Sequence, residues 1–296
     1  MKLGMQSCTI IGDLFQDFEG AMKRAQGVGL KYVEWLARVS EEDPGIGRGL
    51  APKEAVKMFA DYGMELTGAV VRFPNQLEDV KNLDFVQKVI DWYAEAGAST
   101  VGLTTDYFIN AEFFKNRMDL YNEMGKRCKA AGMTWVYHNH FHEAQMLDGK
   151  MILDLMMEYT DPDCVGFCWD VYWGLRGFLD PVSTVERIGH RIKRLHCKDF
   201  PFAQLERVNL AKILPTDVLM NWENRESYDA YKVIVPEDFI ECGKGIIKWQ
   251  DVVDAANAHN VPYMFLEQDY TALPDKYDSL RVSKAYLEKL NGLEIL

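Results

Sequence analysis

Short apolar runs recur along the chain, separated by longer polar and mixed stretches. "LGMQSCTI" opens it, followed by "YVEWL" from Tyr32, "ELTGAVV" from Glu65, "TVGLT" from Thr100 and "MTWVYHNH" from Met133. Three more come later: "VGFCWD" from Val165, "IKRLHCKDF" from Ile192 and "YMFLEQD" from Tyr263. Each is too short for a stable helix and rich in β-branched or aromatic residues, so each predicts a strand. Between them lie amphipathic segments of helical length. In "NLDFVQKVIDWYAEAG", residues 82–97, Phe85, Val86, Val89, Ile90 and Tyr93 recur at helical spacing.

Gly29, Gly63, Gly97 and Gly132 each stand just before a strand, at intervals of 34, 34 and 35 residues. Glycine after a helix takes the left-handed conformation that stops it at little cost. A period of 34 also suits helical-hairpin repeats, but each glycine introduces a β-type run and not a second helix. Strands alternating with helices predict an α/β fold, a (β/α)8 TIM barrel formed by residues 1–296 as a single domain. An open doubly wound sheet is the alternative, and no strand is followed by the Gly-rich fingerprint such a sheet uses for its ligand. More than forty residues separate "HCKDF" from the helix opening near Trp249. This long loop follows the seventh strand, so it belongs on the C-terminal face, where barrel enzymes keep their chemistry.

The ends of the later strands carry an unusual set of polar residues. Strand five ends in His138, Asn139 and His140, with His142 and Glu143 just beyond; these imidazoles are half of the chain's six histidines. Strand six ends in Asp170, strand seven in His196, Lys198 and Asp199, and strand eight in Glu267 and Asp269. Several carboxylates at one barrel mouth are costly to bury unless a cation compensates them. Acids with one or two imidazoles suit a divalent metal such as Mn2+, Co2+ or Zn2+. Each residue also has a plainer reading: Asp170 as a turn cap, Glu267 as a paired acid in the barrel, His196 as a core histidine and Lys198 as a salt bridge. Four strand ends together are harder to explain that way.

Composition narrows the function. The net charge is −12, from 33 basic and 45 acidic residues, which argues against a nucleic-acid or acidic-membrane surface. No run approaches the ~20 apolar residues of a membrane span. The N-terminal text is not a secretory signal, so a cytoplasmic location is expected. The six cysteines are scattered without a CxxC and read as reduced thiols.

"YHNHFHE", "FCWDVYW", "LHCKDF", "GKGIIKW" and "FLEQD", in that order, resemble the sugar phosphate isomerase/epimerase superfamily, the xylose-isomerase-like barrels, in its HNHxxE subgroup. The resemblance implies one divalent metal held by Glu143, Asp170, His196 and Glu267, with Mn2+ ahead of Co2+, Mg2+ or Zn2+. If Glu143 points elsewhere, His138 or His140 is the substitute ligand. It also implies proton abstraction next to a carbonyl, with the metal stabilising an enediolate. Glu143 and Glu267 would be the bases on opposite faces, as in ketose epimerases, and His140 is a further base with His138 or His142 orienting it. Lys198 would hold a substrate oxygen. Trp35, Tyr107, Trp173 and Trp222 are candidate walls for a sugar ring or an aromatic aglycone, and Glu241 a supporting acid.

The expected function is a metal-dependent isomerase or epimerase of a small sugar. A lyase on a keto-sugar or keto-polyol, of the inosose dehydratase or C-glycoside deglycosidase kind, begins with the same step. In the second case a small partner subunit accompanies the barrel, and the superfamily also admits homo-oligomers. A catalytically silent barrel kept as a binding module is the alternative from another class.

Overall fold

A computed structural model describes residues 1–104, 106–212 and 233–295. Eight parallel strands close into a barrel: β1 (Lys2–Gln6), β2 (Tyr32–Arg38), β3 (Glu65–Arg72), β4 (Thr100–Leu103), β5 (Thr134–His138), β6 (Val165–Asp170), β7 (Ile192–Cys197) and β8 (Tyr263–Leu266). Each strand pairs with its neighbours in sequence, and β8 closes on β1 through Lys2↔Tyr263 to Met5↔Leu266. All eight coincide with the apolar runs read from the sequence. A two-stranded hairpin, Met146–Leu147 with Lys150–Met151, stands apart after β5; the pattern did not announce it.

The helices form for local reasons. Leu83–Glu95 opens with the Asn82 carboxamide accepting from the Phe85 N–H at 3.2 Å, and it buries Phe85, Val86, Val89, Ile90, Trp92 and Tyr93 against the barrel. Asn110 caps Ala111–Ala130 in the same way, accepting from Phe113 N–H at 2.8 Å. Gly29, Gly63, Gly97 and Gly132 all have φ between 70° and 80°, so each reverses the chain into the next strand without the strain a Cβ would bring. Among the described residues, no helix is long and apolar enough to cross a membrane. None of the six cysteines is in a disulfide.

The main core lies between strands and helices. A second apolar cluster sits at the C-terminal end of the barrel and consists of Tyr107, Phe141, Tyr172, Trp173, Phe200, Leu210 and Phe239, which come from segments following the strands. The long excursion after β7 is rooted by Asp199. Its carboxylate accepts from the N–H groups of Phe200, Gly243 and Ile247 and from Trp249 Nε1, all at 2.9–3.1 Å. Four donors on one buried acid fix where the loop leaves and returns, whatever path it takes between.

A buried ion pair crosses the barrel interior. Arg194 of β7 reaches across to Glu34 of β2, both fully buried, and Gly68 of β3 makes room for the guanidinium. A Cβ on Gly68 would lie 2.2 Å from Arg194 Nη2 and 2.3 Å from the Thr100 carbonyl oxygen, and the backbone cannot yield. Gly68→Ala is therefore expected to destabilise the fold by about 1–3 kcal/mol. Gly12→Ala, where a Cβ meets nothing within 4 Å, should be neutral or stabilising by up to about 1 kcal/mol. Urea melts of both variants check this; equal midpoints would show the interior to be looser than its geometry.

Candidate metal centre and cavity

His138, Asp170, His196 and Glu267 leave the C-terminal ends of β5, β6, β7 and β8. One donor atom from each lies within 4.8 Å of the other three. The atoms that face one another are His138 Nε2, Asp170 Oδ2, His196 Nδ1 and Glu267 Oε2. All four are buried without a hydrogen bond of acceptable geometry. Acids and imidazoles converging on one point suit a cation, and the Lys198 ammonium stands within 3.0 Å of Asp170 Oδ2 and Glu267 Oε2.

Each donor is held by its other end. His138 Nδ1 lies 2.8 Å from the Thr104 carbonyl. A carbonyl can only accept, so Nδ1 carries the proton and Nε2 presents its lone pair. Asp170 uses Oδ1 to cap the helix Val171–Arg176, accepting from Trp173 N–H at 2.8 Å, and keeps Oδ2 for the cluster. His196 gives Nε2–H to Glu34 and turns Nδ1 inward, 2.9 Å from Glu267 Oε2. Asn139 ties the ends of β5 and β6 together, accepting from Asp170 N–H at 2.6 Å and donating to the Asp170 carbonyl at 3.1 Å. Such outer partners fix the tautomer and orientation of metal ligands.

Lys198 Nζ lies 3.0 Å from Asp170, 2.8 Å from Glu267 and 3.4 Å from Asp269. Burial alone would lift the Glu267 pKa, but Lys198 and then His196 outweigh it and hold the carboxyl well below its ordinary value. Asp170 is lowered in the same way, chiefly by Lys198 against burial. His196 is raised well above an ordinary histidine despite burial, since Cys168, Glu34 and Glu267 surround it. Burial would also raise Glu34, but His196 and Arg194 bring it down to about 2. A second group, Glu34, Cys168 and His196, also brings its donor atoms together. There the Arg194 guanidinium already supplies the charge.

The structure does not bring Glu143 to the donor group. Tyr137 O–H donates to its Oε1 at 2.6 Å, the His140 N–H donates to its Oε2 at 3.0 Å, and His142 Nε2 stands 3.3 Å away. Glu143 instead shapes the turn that follows β5, and His138 takes the place expected for it. His142 is buried behind this turn, its Nε2 2.8 Å from the Asp106 carbonyl and its ring tilted against Tyr107 at 4.6 Å. A cavity of about 630 Å3 opens over the donors, lined among others by His138, His140, Tyr107, Trp173, His196, Glu267 and Asp269. His140 sits there with its pKa well below the usual value, through burial and then the neighbouring His138 and His142. The ring is therefore neutral near pH 7.

One expected wall residue, Trp35, and the expected supporting acid, Glu241, lie away from the cavity. Alternation along β2 turns Glu34 into the barrel and Trp35 outward; the Trp35 indole donates to the Ile46 carbonyl at 3.0 Å and packs on Phe59. Glu241 accepts from Thr271 Oγ1 at 2.8 Å and Ser279 Oγ at 3.0 Å, so it ties the returning loop to the last helix and does not line the cavity. Trp222 lies outside the described residues. Glu34, which holds His196 from behind, is the member of this cluster that the strand pattern concealed.

Metal titration distinguishes these roles. His138→Ala should lose tight divalent binding, and Glu34→Gln should weaken it by about 10- to 100-fold through the unsupported His196. Glu143→Gln should keep full metal content. A Glu143 variant that loses the metal while His138→Ala retains it would reverse the assignment. Adding Mn2+ or Zn2+ in excess to chelator-treated wild-type protein should raise Tm by several degrees, on the order of 3 kcal/mol at a hundredfold excess over Kd.

Residues 22–286 match the family model described as "Xylose isomerase-like TIM barrel". Among curated proteins, the inosose dehydratase of Geobacillus kaustophilus is 28% identical over 168 residues, 55% of this chain and 48% of that protein. The match thus spans about half of that relative's length. A solved sugar phosphate isomerase/epimerase from Parabacteroides distasonis superposes with a TM-score of 0.78 at 22% identity, over 99% of this chain and 95% of that one. The IOLI protein, solved with a bound zinc atom, gives 0.61 at 15% identity over 97% of both chains. At these identities the solved structures show the shared fold, and the family model covers nearly the whole barrel: the chain belongs to the xylose isomerase-like TIM barrel family.

Proposed function

We propose that the protein is a divalent-metal-dependent lyase that removes the proton next to a ketone of a sugar-like polyol and expels a β substituent. One observation carries the choice over epimerisation. An epimerase of the two-carboxylate kind needs a second acid facing Glu267, and Glu143, the expected one, has both oxygens engaged outside the cavity. What faces the cavity from the β5 end is imidazole.

His140 is the base. Its neutral ring lines the cavity and can take the α-proton. The imidazolium so formed then returns that proton to the departing oxygen. The C–H bond and the β C–O bond break, a C=C bond forms beside the ketone, and water leaves. Lys198, held among Asp170, Glu267 and Asp269, keeps its ammonium charge and steadies the carboxylates. Trp173, 5.2 Å from the His140 ring, limits how that ring can turn. When bound by His138, Asp170, His196 and Glu267, a divalent ion supplies Lewis-acid stabilisation of the charge that builds on the ketone oxygen. The donor set suits Mn2+, Co2+ or Zn2+. The curated relatives named as inosose dehydratases support elimination from a keto-polyol.

The isomerase reading has its own support: His140 and Glu267 both line the cavity, which gives a two-base transfer its two groups. Incubating the metal-loaded protein with inososes and keto-hexoses in D2O separates the two. Elimination gives a conjugated ketone absorbing in the ultraviolet and lighter by one water. Isomerisation gives a product that has gained deuterium and lost no water, and neither product from a metal-loaded protein would sink both readings. His140→Gln should lower turnover by about 100-fold or more with metal content intact. His196→Ala and Glu267→Gln should lose turnover and metal together.

A further inference from the structure

The cavity over the donors carries charge of both signs. Glu267 and Asp269 line it from the β8 end, and Arg72, the last residue of β3, lines it from the other side. β3 stands opposite β7 in the closed ring, so Arg72 lies across the mouth from the donor group. Among the described lining residues, it is the one with a fixed positive charge.

An acid partner would be ordinary for it. The chain has 45 acidic residues against 33 basic ones, and surface arginines such as Arg24 and Arg281 pair with Asp13 and Asp278. Among the described residues, the Arg72 guanidinium has neither an ion pair nor a hydrogen bond. The acids just along the chain are taken: Glu78 pairs with Lys81 at 2.9 Å, and Asp79 accepts from the Asn75 N–H at 2.7 Å. Arg38, the register partner of Arg72 on β2, lies over the Phe15 ring at 4.8 Å and has no acid among the described residues either. Like charges directly opposite on neighbouring strands repel, and a bound anion relieves that cost.

The surroundings decide which anion. A phosphate presents three oxygens and calls for several donors. Near Arg72 the N–H groups of Phe73 and Asn75 are already given to Gln76 Oε1, at 3.4 Å, and to Asp79. One planar guanidinium matches one planar carboxylate through two parallel N–H···O bonds. Asn75 lines the same side, and its carboxamide does not cap the short helix Gln76–Asp79, which leaves it for a neighbouring hydroxyl. At the other end, Asp170 and Glu267 would balance a divalent ion, and Lys198 stands 3.4 Å from Asp269. That end has no charge to spare for an anion.

We propose that the substrate carries a carboxylate, held by Arg72 while its ketone lies at the donor group, so that it is a sugar-derived keto acid. This rests on the reading of the donor group as the place of the ketone.

Equilibrium binding to the metal-loaded protein tests it with three probes that have no ketone and cannot turn over: methyl β-glucuronide, methyl β-glucoside and methyl β-glucoside 6-phosphate. The glucuronide should bind at least about tenfold more tightly than the glucoside, and more tightly than the phosphate. In Arg72→Gln the advantage over the glucoside should fall to about twofold or less, with metal content unchanged. The proposal falls if glucuronide and glucoside bind alike, if no probe binds, or if the phosphate matches the glucuronide. It also falls if the advantage survives Arg72→Gln, as it would with the carboxylate on the metal. Because no probe reacts, an advantage that depends on Arg72 without elimination from any keto-polyol would sink the lyase reading alone. Elimination without the advantage would sink this proposal alone.

Discussion

Charge convergence at the mouth of a dry barrel governs this molecule. Asp170, Glu267 and Asp269 approach one another where little water reaches, and Lys198 comes between them with a full positive charge. His196 has carboxylates at both nitrogens, Glu34 on one side and Glu267 on the other. Without a metal it must hold two protons to keep both neighbours satisfied, and its raised pKa expresses that. A divalent ion at the centre would replace the Nδ1 proton and join the four facing atoms. Burying acids this closely costs several kcal/mol unless positive charge offsets it, and Lys198 supplies part of that charge.

The fold meets this constraint with side chains that act at both ends. Asp170 caps a helix with one oxygen and faces the site with the other. His138 is fixed by a backbone carbonyl, and His196 by Glu34 at the barrel floor. Asp170 is therefore a turn cap through one oxygen, and the other is left facing the cluster. The same economy links the core to the site. Glu34 is held by Arg194 and by Gln6 Nε2 at 2.8 Å, and Arg194 fits because Gly68 has no side chain. A change at a glycine of β3 thus reaches His196 on β7 through Arg194 and Glu34.

The barrel was legible in the sequence because its two periods are local. Apolar runs of strand length recur through the chain, glycines at φ near 75° precede β2 to β5, and nothing distant is needed to recognise them. Asp170, His196 and Glu267 were legible as strand-end residues for the same reason. Glu34 was not, because "YVEWL" reads as a strand whose polar position faces solvent, and only closure of the barrel turns that position inward. A clue lay on β7, where Arg194, His196 and Lys198 alternate onto one face and require acids opposite. Glu143 misled for a related reason: spacing says how far a turn carries a residue, and here Tyr137 and the His140 N–H decide which way it points. Trp35 was misplaced by a single step of strand alternation.

Exchanging Glu143 for His138 at the donor group alters more than a ligand name. Two carboxylates and two neutral imidazoles would leave a divalent ion electrically balanced, whereas three carboxylates and one imidazole would leave the assembly with an excess negative charge. A less heavily neutralised ion is the stronger Lewis acid towards a ketone oxygen, which favours forming the enediolate. The exchange also removes a carboxylate base from one face of the substrate and leaves the neutral His140 beside Trp173. An imidazole that takes a proton becomes an acid strong enough to protonate a poor leaving group near neutral pH, which a carboxylic acid of ordinary pKa does only after holding its proton against water. In the proposed elimination, the same geometric substitution would strengthen the first step and supply the acid for the second.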